Sequence, residues 1–165
     1  MRRLILALRL ILAAVFLYAA YTKLREPWLV FAMSIDAYQL LPQWAVLSLG
    51  RTIPWLELLL GVMLAMGIAL RYTAGAAALL LGVFFGIMVH AYAQGLKIDC
   101  GCFGLGEPIS ALTLARDGTL LAACVTLTFL AVRAANKKGR DQNKKGRTGS
   151  PAFHMEQGAA LPGSK

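Results

Sequence analysis

Acidic residues are scarce in this chain, eight Asp and Glu against 17 Lys and Arg, and all charged residues together make up only 15% of its 165 positions. A soluble domain of this length carries closer to a quarter. With 58% hydrophobic residues and a mean hydropathy of +0.62, a water-soluble fold is excluded as the working expectation. Cysteine is almost as sparse. Three residues are too few for a small disulfide scaffold, and two of them, Cys100 and Cys102, stand one residue apart, which points to local redox or metal chemistry. No second cysteine pair is present to complete a tetrahedral zinc site. The net charge of +9 is concentrated towards the two ends and is not interleaved with aromatics over a folded face, which argues against a nucleic-acid partner.

What is abundant is long apolar runs. Residues 4–22, LILALRLILAAVFLYAAYT, are interrupted only by Arg9 and nearly cross a hydrocarbon core of about 30 Å. A cleaved signal peptide is the competing reading, because Met1-Arg2-Arg3 forms a positive leader. The apolar stretch is long for one, however, and no clean small-x-small site follows. Residues 23–43 mix charge with Trp28, Phe31 and Tyr38, as expected of an interfacial segment with a short amphipathic helix over 28–40. A second span covers 52–70, or starts as early as Trp44 with a kink around Gly50 to Pro54. A third runs from Tyr72 to about Tyr92 and contains Gly82-x-x-x-Gly86, spacing that would let another helix approach closely. A fourth must begin near 108–110 to be long enough, which places Arg116 and Asp117 towards its outer boundary. The expected architecture is all-α, an integral membrane four-helix bundle over 4–133 followed by a disordered basic tail over 134–165.

Counting basic residues gives the orientation. Arg2, Arg3, Arg9, Arg71 and the basic residues from Arg133 onward number twelve on one side, against five (Lys23, Arg25, Arg51, Lys97 and Arg116) on the other. The positive-inside rule then puts both termini in the cytoplasm and the 94–108 segment outside, on the periplasmic face if the cell is bacterial. In that compartment disulfides form and persist. The lipid bilayer is the first partner this implies. The tail would lie on anionic lipid, gaining about 1 kcal/mol per basic residue held near the surface, or simply fix the topology as a solvated segment.

Chemistry concentrates in QGLKIDCGCFGLGEP, residues 94–108, whose four glycines and proline predict an exposed loop. A Cys-x-Cys ring closes only under strain, and strain favours exchange over a static staple. Redox exchange, a structural disulfide and metal binding are the three readings of Cys100 and Cys102. Lys97 favours a thiolate and Asp99 opposes one. His90, at the end of the third span, is either an end-cap or a group that moves protons. Glu57 is ionisable within a span and so a functional candidate by default. An ion pair from Glu57 to Arg116, below the loop, would position the thiols or fix helix packing. Cys124, about 21 Å along the fourth helix from Ser110, reads as a packing residue. No quinone or flavin motif is legible, and the one redox group identified is the cysteine pair itself.

Lys23-Leu24, Leu40-Leu41-Pro42, Pro54-Trp55-Leu56-Glu57 with Gly61, and above all Asp99-Cys100-Gly101-Cys102-Phe103-Gly104 followed by Arg116-Asp117 give the chain a family likeness. Over residues 4–133 it resembles the MauE branch of the DoxX-like redox-associated membrane proteins. The resemblance implies a bacterial inner-membrane protein that supports disulfide formation in periplasmic proteins of the methylamine dehydrogenase small-subunit type, alongside a thioredoxin-like partner. Cys100, Cys102, Glu57 and Arg116 would carry this role, either as a thiol-disulfide oxidoreductase or as its accessory subunit. The alternative is a non-enzymatic assembly or small-molecule transport component in which the Cys-Gly-Cys ring only shapes a loop.

Overall fold

A computed structural model describes residues 2–96, 98, 100 and 108–148. These form five helices: α1 (Arg2–Arg25), α2 (Trp28–Asp36), α3 (Gln43–Met66), α4 (Leu70–Ala93) and α5 (Ala111–Thr148). Four of them are long and apolar enough to cross a membrane, α5 by its portion Ala111–Lys137. Each of α1, α3 and α4 has 24 residues, about 36 Å at the helical rise. Leu6, Ile11, Leu59, Leu79 and Phe129 all stay exposed on the outside of the bundle, a surface that suits acyl chains and not water. The architecture is therefore an all-α, integral membrane bundle of four spans, with α2 as the short helix expected over 28–40.

Span boundaries follow local chemistry. α3 takes the earlier of its two expected starts, beginning after Pro42, whose ring suits the residue before a helix. It passes through Pro54, which supplies no N–H to the carbonyl of Gly50. It stops at Gly67, where φ is +72° and the amides of Gly67 and Ile68 both bond back to Met63. Arg9 crosses this turn so closely that a Cβ at Gly67 would collide with its guanidinium.

The core interleaves large side chains with small ones that let helices approach. Leu12, Ala13 and Phe16 of α1 meet Leu60 and Leu64 of α3, Ala74 and Ala77 of α4, and Cys124 and Leu127 of α5. Cys124 is thus a packing residue. The tightest approaches are at Gly50, where a Cβ would lie 2.6 Å from that of Ala32 on α2, and at Gly61, where it would lie 3.1 Å from the backbone nitrogen of Leu17 on α1. Gly82 and Gly86 do not play this role. A Cβ at Gly82 would come no closer than 3.8 Å to Leu121, and at Gly86 it would meet nothing within 4 Å among the described residues. Replacing Gly50 with Leu is expected to destabilise the protein by about 1–3 kcal/mol, whereas Gly86→Ala should stay within about 0.5 kcal/mol, both read from unfolding in mixed detergent micelles.

Two units are distinguished, Met1–Val132 and Arg133–Lys165. In the second, the chain is helical as far as Thr148, where the change of composition at 134 had predicted disorder. Ala, Lys, Arg and Gln are good helix formers, and extending an existing helix avoids the cost of nucleating a new one. Basic residues near its C-terminal end also complement the helix dipole.

Candidate functional site

The ionisable residues of the spans meet near the ends of α1 and α5, but not in the expected pairs. Glu57 is buried on α3 and accepts from Lys23 Nζ through both carboxylate oxygens, at 2.7 and 2.9 Å. Lys23 is itself buried, with its ammonium 5.1 Å from the ring centre of Phe31 on α2. One lysine therefore joins α1, α2 and α3. The predicted Glu57 to Arg116 pair is not formed. Arg116 Nε instead donates to Oδ1 of its neighbour Asp117 at 3.0 Å. Sequence reasoning had assigned Lys23 to the outer surface because it ends the apolar run of α1. It lies about 30 Å along α1 from Arg3, at the edge of a hydrocarbon layer and within reach of a neighbouring helix.

The same comparison of rises explains how Glu57 can be far along its own helix and still meet Lys23. Glu57 is about 21 Å from the start of α3, so the first half of α3 runs beyond the end of α1. That half packs on α2 through Gly50 and Ala32. The pair thus holds the spanning part of α3 against α1, while α2 and the first turns of α3 form a layer on the side of the cysteine loop. Trp28 and Trp44 are exposed in this layer, as aromatics at a membrane interface are.

Cys100 is 2% exposed, which corrects the expectation of an exposed loop at this position. It is packed with Met88 and Ala91 of α4 and Ile109 before α5, flanked by Phe85, Ile98 and Leu114. The cause is the base of the loop. Ile109 N donates to Ile98 O at 3.0 Å, which closes the segment and draws its apolar flanks onto the bundle, and the Tyr38 hydroxyl donates to the Cys100 carbonyl at 3.3 Å. The apolar residues Ile98 and Ile109 were the signal that glycine content outweighed. Cys102, Lys97 and Asp99 lie outside the described residues. His90 is exposed, and its Nε2 is 3.0 Å from Gln94 Nε2. Among the described residues no group of three or more His, Cys, Asp or Glu is placed to hold a metal ion.

The layers stack in a definite order. Leu114, beside Cys100, is one helical turn from Asp117 on α5, and Met88 is one turn from Phe84 on α4. Asp117, Phe84, Lys23 and Glu57 all line one small cavity. The Cys100 layer therefore lies about one turn further along α4, and one turn nearer the start of α5, than the buried charges.

Residues 1–130 match the family described as Methylamine utilisation protein MauE. The chain is 32% identical over 124 residues to the methylamine utilization protein MauE of Paracoccus denitrificans, covering 73% of this chain and 66% of that protein. It is 34% identical over 119 residues to the protein of the same name from Methylorubrum extorquens, covering 68% and 61%. The matched region thus spans less than two thirds of the length of these relatives. No solved structure matches the chain. With its four apolar spans and a match over residues 1–130, the chain is an integral membrane protein that belongs to the MauE family.

Proposed function

We propose that this protein supports thiol-disulfide redox maturation of proteins outside the cytoplasmic membrane, and that its clients include one of the methylamine dehydrogenase small-subunit type. The names of its relatives, methylamine utilization proteins, support that pathway. The observation that carries the reading is the seat of Cys100. The first cysteine of DCGCFG is held by Tyr38 and an apolar nest at the loop-side ends of α4 and α5, not left on a free loop. A thiol held this way reacts when its loop is engaged, which suits exchange with one docked partner, a thioredoxin-like protein, over indiscriminate oxidation. Cys100 and Cys102 are the exchanging pair. Lys23 with Glu57 locks α1 on α3, and Arg116 with Asp117 sets the first turns of α5 beneath Cys100. Both termini are cytoplasmic and the loop is periplasmic in a bacterial inner membrane, as the basic-residue count of twelve against five supports. The test is client maturation in cells carrying Cys100→Ser or Cys102→Ser, scored by the disulfide content of the client.

A second reading draws on the same burial. If Cys100 only packs the loop, the bundle is an assembly or small-molecule transport component, and the buried charges matter more than the thiols. Full client maturation in both serine variants, with loss in Glu57→Gln, would select it.

A further inference from the structure

The last part of α5 carries a patterned charge that neither the bundle nor the cysteine loop uses. Between Arg133 and Thr148 the helix has no aromatic and no large aliphatic residue, so apolar burial cannot hold it. Its seven basic residues are not scattered. Arg133, Lys137, Arg140, Lys144 and Arg147 follow one another at intervals of 4, 3, 4 and 3, which at the helical repeat keeps their positions within an arc of about 80° along about 21 Å of helix. The KKGR repeat at 137 and 144 produces this register, because seven residues make almost two full turns. Lys138 and Lys145 fall about 100° away from Lys137 and Lys144. The acid of the segment, Asp141, lies between these two rows, and the far side holds Ala135, Gly139, Gln142 and Gly146. Arg133, Lys137 and Arg140 are exposed.

Like charges three and four residues apart disfavour a helix, and this row contains four such neighbouring pairs in succession. An anionic surface opposite the row turns that repulsion into attraction. Arg133 and Lys137 close the membrane span Ala111–Lys137, so the row starts where the lipid headgroups are. We propose that Arg133, Lys137, Arg140, Lys144 and Arg147 bind the phosphates of anionic lipids, and that helix formation over 137–148 is coupled to attachment at a charged bilayer surface. The contact is electrostatic and superficial, because a helix without an apolar face does not insert among acyl chains. Each basic residue held at the surface favours attachment by about fivefold.

The test is hydrogen exchange of the full chain, pulse-labelled and read by mass spectrometry, in nanodiscs of phosphatidylcholine alone and of phosphatidylcholine with phosphatidylglycerol. The expected result is amide exchange over 137–148 slower by about fivefold or more in the anionic discs, with the difference lost near about 1 M salt. Lys137→Gln/Lys144→Gln takes two charges from the row and should abolish the difference. Lys138→Gln/Lys145→Gln takes the same charge from the neighbouring row and should leave most of it. Equal exchange in the two lipids would overturn the proposal. Equal losses in the two double variants would do so as well, because net charge and not the row would then be the cause. So would slowing that appears in neutral discs on addition of inorganic phosphate or RNA. No thiol is read, so this outcome and that of the redox reading are separate.

Discussion

Lys23→Met is expected to destabilise the protein by about 3–5 kcal/mol, because it strands the Glu57 carboxylate in a buried site with no other donor among the described residues. Glu57→Leu should be milder, by about 1–2 kcal/mol. Lys23 keeps its contact with the Phe31 ring, worth about 0.5–2 kcal/mol, and ends α1 only two residues before Arg25, so its ammonium can reach for the interface. The double variant Lys23→Met/Glu57→Leu should recover most of the loss, since it removes both charges and fills the volume with apolar atoms. A double-mutant cycle measured by unfolding in mixed micelles reads all three. Single losses below about 1 kcal/mol, or a double variant as unstable as the sum of the singles, would show that this pair does not anchor α3 on α1.

The second large effect concerns the loop. Either Cys100→Ser or Cys102→Ser should abolish client maturation, and the double variant should be no worse than either single, because two thiols that form one exchanging unit are lost together. A serine at position 100 also places a hydroxyl among Met88, Ala91 and Ile109, so a structural contribution has to be separated from the chemical one. Cys100→Ala does that. It leaves the nest apolar, and it should be as inactive as the serine variant while melting close to the unsubstituted protein. Activity retained by Cys100→Ala and lost by Cys100→Ser would assign Cys100 to packing instead.

The spans were legible because runs of this length and polarity have few alternatives to a membrane. Glu57 was legible for the same reason in reverse, as a charge where charge is unfavourable. Its partner was not. Lys23 and Glu57 are 34 residues apart, and only the layer formed by α2 and the first half of α3 brings them level, a feature no local pattern records. Arg116 looked like the natural partner on depth alone, but its Nε donates to the adjacent Asp117. The burial of Cys100 goes with a backbone bond between Ile98 and Ile109, a hydroxyl bond from Tyr38 and an apolar nest on α4, none of which composition could reveal beneath four glycines. The helix through Thr148 shows the opposite error, where a polar composition was read as disorder although its individual residues favour helix.

The most direct test of the thiol-exchange reading and of the outward loop is trapping in intact cells with a membrane-impermeant thiol reagent, in a Cys124→Ala background so that only the loop thiols report. Labelling that is absent before mild reduction and present after it is the predicted result. Absence of labelling under both conditions would contradict the account.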